Sequence, residues 1–529
     1  MKLTVEIVPG LPRLAWCATV DGRRNEVHAS VGSWVEVDSR GFVEGVWDGS
    51  FEEFAFDATP NFFGTGAVVS HDSVVFVSST ATTDYLYWAR NRGCGGITVS
   101  NSLPLLLSEI ADELDPHCPH YAGINESIVD GIDRMRAEIP TKSGLVYRLM
   151  HRSLRVGKTG ICIVDKPMPP TFTGFADYAL HLKRTYRRIA ENARDERRGG
   201  PMAIFSTQSR GYDTTAVNAV AASVGVDRAC TVARGKAIGY FGNEDRAIEP
   251  DDDGSEICEK LGIHSTRIDR RYVERNPRFE YLFHAGMHRS GDFNLAEISE
   301  NVSRPTVLLT GTLGEIWYPR KNYVDRPGFE DSTLKRWDLG CHGLTEVRLE
   351  AGYVQLAMPY IGAVHRRAIV NLTESPEMDA WRLGTSYDRT IPRRLAEEAG
   401  VPRDLFGQAK MASVLEFPQP TVPIGNELRD GFLRFMQEIG LLNRLQCAML
   451  PVVLRWNAAV WSHSPRRHRW MYILERVLTR LSGRGWQMPL IWTRLNAALF
   501  VYCVSLRQRD YAQGLSAQSR GRNDAPRDR

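Results

Sequence analysis

In the middle of the chain, short strands predicted to be buried alternate with predicted helices. This alternation restricts the possible folds more than any other feature of the sequence. Residues 202–205 and 229–233 are apolar runs typical of buried strands, and residues 214–224, rich in alanine and valine, predict a helix between them. A second helix is predicted over 254–261 and a third strand over 306–309. Strands that alternate with helices in this way predict an α/β fold with a parallel, doubly wound sheet.

The regions on either side follow different patterns. Up to about Val164, short strands such as 74–79 and 96–100 are separated by turns, which predicts a layered, β-rich α+β domain. A polar helical stretch over 175–198 leads into the alternating region, and beyond Asp338 the pattern is mainly helical. We therefore predict a β-rich domain over 1–165, an α/β domain over 170–425, a helical segment over 426–506 and a disordered tail over 507–529.

Composition limits the classes of function. The 529 residues carry a net charge of only +3, which is too little to argue for nucleic acid. Residues 1–12 contain no long apolar run, so no signal peptide is predicted. The nine cysteines are scattered without a C-x-x-C pair, which disfavours a zinc site and a disulfide framework. We expect reduced thiols and a cytoplasmic protein.

The loop after the first of the alternating strands carries the clearest functional signal. The strand ends near Ser206 and the helix begins near Thr214, so backbone N–H groups and a helix N-terminus converge on one point, which suits an anion. Gly211 permits a backbone geometry that other residues resist, and Ser209 and Thr214 add hydroxyl donors. Asp213 would repel a bare phosphate, so we expect it to hold Mg²⁺ bound to that phosphate. A simple helix N-cap at Asp213 is the alternative.

The run Ser209-Arg210-Gly211-Tyr212-Asp213-Thr214 resembles the S-G-G-x-D-S pyrophosphate loop of asparagine synthetases and β-lactam synthetases. The resemblance implies a domain like that of the adenine nucleotide α-hydrolases. The sequence departs from the family pattern at two positions, because Arg210 replaces a glycine and Thr214 replaces a serine. Arg210 would either add a cation to the phosphates or crowd them.

Three later segments resemble the family pattern in the same order. Residues 310–317 are similar to the family's S-G-x-G-A-D-E-L-F stretch, shortened by one residue, and imply that Glu315 is a second Mg²⁺ ligand rather than a solvated turn residue. Glu346-Val347-Arg348 is similar to the E-x-R that precedes the family's P-F-L-D, with an insertion after it. Residues 387–410 resemble the last family segment, in which a lysine contacts the acyl-adenylate and pyrophosphate. The resemblance therefore implies this role for Lys410 instead of an ordinary surface position.

The resemblance implies a mechanism and a set of site residues. A substrate carboxylate attacks the α-phosphorus of ATP, pyrophosphate leaves into the loop, and an amine then attacks the acyl-adenylate. Lys410 would stabilise the developing negative charge, and Glu346 would help to deprotonate the amine or position Arg348. Mg²⁺ would be held by Asp213 and Glu315. The nucleotide would be bound by Ser206, Ser209, Arg210, Gly211, Asp213, Thr214, Val232 and Gly311.

The N-terminal third also resembles a family domain, the β-rich glutaminase. Residues 84–88 followed by 99–103 are similar to its "pLYy" and "aSe" strands. That domain requires a cysteine directly after the initiator methionine, because the free α-amino group is its catalytic base. Lys2 occupies this position and the first cysteine is Cys17. We therefore predict that glutamine hydrolysis is lost and that the nitrogen comes from ammonia or a substrate amine, as in β-lactam synthetases and lasso-peptide cyclases.

Three hypotheses about function stay open. The first is an AMP-forming amide ligase acting on a small-molecule or peptide carboxylate. The second is a tRNA-modifying enzyme with the same loop, although the added cysteines or basic surface usual in such enzymes are not evident, and no nucleic acid partner is expected. The third is a decayed synthetase domain retained for partner binding, because Arg210 and the shortened acidic motif depart from the family.

The C-terminal segment has an unusual composition. Five of the twelve tryptophans lie between Trp456 and Trp492, and arginines surround them. One interpretation is an amphipathic surface that seats at a membrane or docks a protein partner. The alternative is a helical cap packed on the synthetase domain, with the tryptophans in the interface.

Overall fold

The computed structural model describes residues 1–91, 95–158, 160–237, 250–286, 292–320, 334–336, 339–385, 387–413, 415, 422–452, 473–474, 477–478, 480–481 and 492–523. These residues form a mixed α/β protein with a largely antiparallel N-terminal region, a parallel central sheet and C-terminal helices. The coarse fold prediction is therefore confirmed.

Two sheets make up the described N-terminal region. Their order is β1-β3-β2-β9-β8-β11-β10 and β13-β12-β7-β6-β5-β4, and neighbours are antiparallel except for the parallel pair β1 and β3. The strands are β1 (Lys2–Ile7), β2 (Trp16–Asp21), β3 (Glu26–Val31), β4 (Glu36–Asp38), β5 (Gly41–Trp47), β6 (Phe62–Val69), β7 (Ser73–Val77), β8 (Leu86–Arg90), β9 (Ile97–Ser100), β10 (Glu138–Pro140), β11 (Leu145–Leu149), β12 (Ser153–Gly157) and β13 (Gly160–Val164). The strands predicted at 74–79 and 96–100 correspond to β7 and β9.

Apolar side chains from both sheets form one core between them. Trp16 of β2 in the first sheet stacks on Phe76 of β7 in the second, with ring centroids 5.9 Å apart, and meets Phe42 of β5 edge-on at 5.0 Å. The Trp16 indole N–H donates to Thr65 Oγ1 at 2.9 Å, so its polar end is also satisfied. Alternate residues of each strand point into this layer, which explains the patterning seen in the sequence.

The central sheet has the order β17-β15-β14-β18-β19, and all of its neighbouring strands are parallel. The chain runs outward from β14 in one direction and then returns to add β18 on the other side, so the prediction of a parallel sheet in this part of the chain is confirmed. A small antiparallel pair, β16 with β20, lies apart from it. The strands are β14 (Ala203–Gln208), β15 (Arg228–Val232), β16 (Lys236–Ala237), β17 (Ser265–Ile268), β18 (Thr306–Thr310), β19 (Tyr353–Ala357) and β20 (Met411–Ala412).

Helices cover this sheet and build the C-terminal region. None of the helices in the described ranges combines the length and apolarity needed to cross a bilayer. They are α1 (Leu103–Glu109), α2 (Tyr121–Glu126), α3 (Phe175–Ala193), α4 (Tyr212–Ala221), α5 (Ser255–Lys260), α6 (Tyr272–Arg275), α7 (Glu280–Gly286), α8 (Ala296–Glu300), α9 (Thr345–Ala351), α10 (Arg366–Thr373), α11 (Thr390–Glu398), α12 (Asn426–Glu438) and α13 (Trp492–Asn523).

Helix α13 corrects the prediction of a disordered tail from residue 507. The helix continues to Asn523 and packs against α1 and α7. Arg507 and Tyr511 are buried, and Gly514 approaches Gly10 so closely that a Cβ on Gly10 would lie 2.6 Å from the Gly514 Cα. The polar composition of this stretch hid these contacts, because they are made with distant parts of the chain. Residues 524–529 and the side chains of the five C-terminal tryptophans lie outside the described residues.

Candidate functional site

A cavity of about 230 Å³ opens at the carboxyl ends of three neighbouring strands of the central sheet. Gln208 at the end of β14, Val232 at the end of β15 and Thr310 at the end of β18 all line it. The chain leaves β14 toward β15 on one side and β18 lies on the other. The cavity therefore lies at the switch point, where the connections diverge and ligands bind in open α/β sheets.

The loop between β14 and α4 forms one wall of the cavity and is held by its own hydroxyl groups. Ser209 Oγ lies 2.9 Å from Thr214 Oγ1. The backbone N–H of Ser209 donates to Thr214 Oγ1 at 3.1 Å, and that of Gly211 donates to Ser209 Oγ at 3.2 Å. The cavity is lined by Ser209, Gly211, Asp213 and Thr214 of this loop. Ser206 lies within β14, is fully buried and does not line the cavity.

Gly211 corrects one expectation about this loop. Its φ of −76° and ψ of 164° are open to any residue, so the glycine is not required for an unusual backbone conformation. Space is the constraint instead, because a Cβ at this position would lie 3.2 Å from Ser209 Oγ. Gly211 is also the N-cap of α4, and no side chain caps that helix, so Asp213 is not a simple N-cap.

Asp213 is engaged in an ion pair. Its carboxylate, 22% exposed, pairs with the guanidinium of Arg389, which is buried and lies over the Tyr318 ring at 4.0 Å. Burial alone would lower the pKa of Arg389, but the charge and hydrogen bond of Asp213, together with Tyr318 and Tyr387, outweigh it and raise that pKa well above its ordinary value. Among the described residues, Arg389 Nη2 has no hydrogen-bond partner. The ion pair fixes Asp213 at the cavity wall.

Two glycines make room for this carboxylate. A Cβ on Gly311 would lie 2.8 Å from Asp213 Cβ, and a Cβ on Gly314 would lie 2.1 Å from Asp213 Cγ. Between the two glycines, Leu313 adopts a φ of +70°, in the left-handed region that non-glycine residues seldom occupy. The T-G-T-L-G run after β18 therefore packs directly against the loop after β14.

Arg210 turns away from the cavity. Its Nε donates to the Asp253 carbonyl at 3.2 Å and its Nη2 lies 3.1 Å from the Asp251 carboxylate. Its backbone N–H donates to Asp252 Oδ1 at 2.9 Å. In this conformation Arg210 neither adds a cation to the cavity nor crowds it, and it ties the loop to residues 251–253.

Asp252 is an acidic residue that the sequence motifs did not single out. Burial raises the pKa of Asp252 to about 6, although the Arg210 N–H opposes the shift. Its Oδ2 is buried and has no hydrogen-bond partner in the part of the chain that the structure describes, and a Cβ on Gly235 would lie 2.6 Å from this oxygen. Asp252 therefore supports the loop by accepting the Arg210 N–H, and the burial of its second carboxylate oxygen costs stability.

Lys410 lines the cavity, with Met411 of β20 beside it. The preceding segment is tied to the loop, because the Gly407 N–H donates to the Arg210 carbonyl at 2.8 Å. Gly407 has a φ of +66°, and a Cβ there would lie 2.4 Å from the Tyr212 ring, so this position requires glycine. The structure thus brings Lys410 to the same cavity as the loop, Val232 and Gly311.

The two predicted glutamates lie elsewhere. Glu315 is half-buried in the 3₁₀ turn Gly314–Trp317, outside the residues that line the cavity, and its charge contributes, after burial, to the raised pKa of Tyr360. Glu346 is buried in α9. It accepts hydrogen bonds from Ser102 Oγ at 2.8 Å, Tyr511 Oη at 2.8 Å and Arg507 Nε at 3.2 Å. The structure therefore does not bring either glutamate together with Lys410.

Several further residues that were not predicted as site residues also line the cavity. Asn294 Nδ2 donates to Ser413 Oγ at 3.1 Å, and Thr312 Oγ1 lies 3.1 Å from Cys341 Sγ. Burial is the main cause that raises the pKa of Cys341 to about 12, so its thiol is protonated at neutral pH. Asp292 accepts from the Cys341 N–H at 2.9 Å. These residues come from irregular segments between strands, where sequence patterns carry little information.

Metal binding would depend on few protein ligands. No group of three or more histidine, cysteine, aspartate or glutamate residues is placed to hold a metal ion within the part of the chain that the structure describes. Asp213 is the predicted ligand that lines the cavity. Asp292, which no motif predicted, also lines it. Mg²⁺ at nucleotide sites is usually held by one or two carboxylates together with phosphate oxygens and water, so the two carboxylates of this lining fit such a site.

Comparison with known proteins adds no family assignment. A scan of the sequence against models of protein families found no match, and a search among curated proteins found none either. The resemblance to asparagine synthetases therefore rests on the motifs and on the placement of their residues.

Proposed function

We propose that this chain is an ATP-dependent ligase that activates a carboxylate as an acyl-adenylate, releases pyrophosphate and then forms an amide. The observation that carries the proposal is convergence at one cavity. Four residues of the loop over 209–214, Gly311 and Lys410 come from three distant segments, and they line the cavity at the switch point of the sheet. Those segments are the same ones that resemble the synthetase motifs.

The chain's own residues supply binding and charge. The hydroxyls of Ser209 and Thr214 and the N-terminus of α4 would face the phosphates. Mg²⁺, when bound by Asp213 and phosphate oxygens, supplies neutralisation of the phosphate charge. Arg389 would hold Asp213 in place for this contact. Lys410 would meet the negative charge that develops as the α-phosphorus is attacked.

Glutamine would not be the nitrogen source. Lys2 begins strand β1 with an exposed side chain, at the position where a glutaminase needs its cysteine. Cys17 is buried in β2, and burial is the main cause that raises the pKa of its thiol well above the ordinary value. A buried, protonated thiol is a poor nucleophile. Ammonia or an amine on the substrate is therefore the proposed acceptor.

A second candidate function is a binding domain derived from a synthetase. Two observations favour it: the Asp213 carboxylate is already paired with a buried arginine, and Glu315 lies outside the cavity lining. Both arrangements would leave Mg²⁺ with fewer protein ligands than the synthetase motifs imply. Such a domain would retain the fold and lack turnover.

One experiment separates the two candidates. Mg-ATP binding is measured by calorimetry, and pyrophosphate release is then screened across carboxylate substrates with ammonium present. Binding together with substrate-dependent pyrophosphate supports the ligase, and binding without turnover across the screen supports the binding domain. Lys142→Ala, at an exposed site paired with Glu113, serves as the control for altered charge. Absence of Mg-ATP binding would remove the ligase proposal.

A further inference from the structure

Large apolar side chains are exposed in one part of the C-terminal region. Of fourteen such residues among the described ones, seven lie between residues 445 and 481. Leu445, Met449 and Val452 are 69%, 54% and 68% exposed, and they lie in a helical segment over 444–452. Their spacings of four and three residues place them on one side of the helix, so they form a single apolar stripe.

The other side of this helical segment is anchored to the molecule. Cys447 and Leu450 are buried in a core shared with Phe432 of α12 and Leu499 of α13. The segment is therefore apolar on two sides, one packed inward and the other facing solvent. An outward apolar stripe on a packed helix indicates an interaction surface, because it contributes nothing to the core of the chain.

The charge of the surrounding sequence indicates what this surface meets. Residues 443–492 contain eight arginines, no lysine and a single acid, Glu475, so the remainder of the chain has 58 basic and 62 acidic residues. The same segment holds five tryptophans. Arg444 and Arg480 are exposed directly beside Leu445 and Leu481. Exposed aliphatic residues flanked by arginine and tryptophan are typical of helices that lie in the interface of an anionic bilayer.

We propose that the apolar stripe formed by Leu445, Met449 and Val452 seats this protein on an anionic lipid surface. The stripe would enter the boundary between headgroups and acyl chains, and the neighbouring arginines would pair with lipid phosphates. The phosphates of a nucleic acid could also pair with the arginines, but they would leave the apolar stripe exposed to water. The proposal does not depend on catalysis at the cavity.

Cosedimentation of the full-length protein with vesicles tests this. Vesicles of equal phosphatidylcholine and phosphatidylglycerol are compared with phosphatidylcholine alone. The test variant carries Leu445→Gln, Met449→Gln and Val452→Gln. The matched control carries Ile7→Gln, Ile163→Gln and Leu180→Gln, three equally apolar residues that are 55%, 57% and 43% exposed elsewhere. Circular dichroism melts check that both variants fold like the parent.

The parent protein is expected to bind the anionic vesicles and to lose most binding at about 0.5 M salt. The stripe variant should bind at least about tenfold more weakly, because its three aliphatic groups no longer leave water, and the control variant should match the parent. The proposal is overturned if the parent binds neither vesicle, if it binds both vesicles equally, or if the folded stripe variant binds as well as the parent. Salt-sensitive binding of a labelled single-stranded RNA without vesicle binding would assign the arginines to nucleic acid instead.

Discussion

Lys410 is the residue on which the proposed chemistry depends most. If it meets charge that develops only in the transition state, Lys410→Ala should lower kcat by about 10²–10³ and change KM for ATP little. Lys410→Arg should not restore the full rate, because the guanidinium is larger and differently shaped. Single-turnover measurements at saturating Mg-ATP check this, with Lys142→Ala as control. Unchanged chemistry in the alanine variant would remove Lys410 from the site.

The pair of Asp213 and Arg389 changes an expectation drawn from the sequence. A loop position alone predicts that Asp213→Asn leaves stability intact, but the substitution would leave the buried Arg389 charge uncompensated. We expect loss of adenylation together with up to about 3 kcal/mol of unfolding free energy. Adding Arg389→Met should recover the stability and not the activity. Urea unfolding measures the stability of both variants, and pyrophosphate assays measure their activity. An active double variant would exclude Asp213 as a ligand.

Asp252 should make stability depend on pH. Its pKa in the folded protein is about 6, above the ordinary aspartate value. The protonated Asp252 carboxyl therefore contributes stability that is fully present below about pH 4 and is lost as the pH rises through 6. The shift corresponds to roughly 3 kcal/mol. Asp252→Asn should therefore stabilise the protein at pH 8 relative to the parent and much less at pH 4.5. The exposed Asp251→Asn is the control in urea titrations, and an equal effect of Asp252→Asn at both pH values would contradict the assignment.

Among the elements, helix α13 is far from α9 in sequence, but two of its side chains contact a buried glutamate of α9. Arg507 and Tyr511 both bond to Glu346, which lies in α9 outside the cavity. Glu346→Gln should lower the unfolding free energy by up to about 3 kcal/mol, because Arg507 loses its buried partner and keeps only the more exposed Glu350 and Asp510. Glu350→Gln, at a half-exposed partner of Arg507, should cost much less. If Glu346→Gln keeps full stability and loses turnover, the catalytic role predicted from the E-x-R motif is favoured instead.

Three of the five strands of the parallel sheet could be predicted from sequence, and several other elements could not. Strands β14, β15 and β18 were placed within three residues, because continuous apolar runs bounded by turns identify buried strands locally. Strand β19 lies in a region predicted to be mainly helical, and the end of α13 was predicted to be disordered. Both depend on partners far away in sequence, as Tyr511 does on Glu346.

The candidate site could also be predicted only where a local sequence motif marks its residues. Ser209, Gly211, Asp213, Thr214, Gly311 and Lys410 carry recognisable spacing, and the structure places them in one cavity. Ser206 and Arg210 were predicted with them and do not line it. Asp252 and Arg389 were missed because their importance comes from burial and pairing, which sequence spacing does not reveal. Glu315 and Glu346 were selected by motif alone, and neither lines the cavity.

At the scale of the whole molecule, a buried ionic network joins the N-terminal and central regions. Arg348 of α9 lies 2.9 Å from Glu44 of β5 and also pairs with Asp84, and all three side chains are nearly inaccessible. Burying three charges is unfavourable unless each is paired, so the network requires the two regions to stay together. The N-terminal region therefore forms part of the structural support for the sheet that carries the cavity.

The most direct measurement of the central proposal is the identity of the nucleotide product. The purified protein is incubated with Mg-ATP labelled in the α-phosphate, ammonium and a panel of carboxylates, and the products are separated by chromatography. Adenylation at the switch-point cavity predicts AMP and pyrophosphate in equal amounts, formed only with a particular carboxylate and about 10²–10³-fold more slowly in Lys410→Ala. ADP and phosphate as the products of the carboxylate-dependent reaction would contradict it.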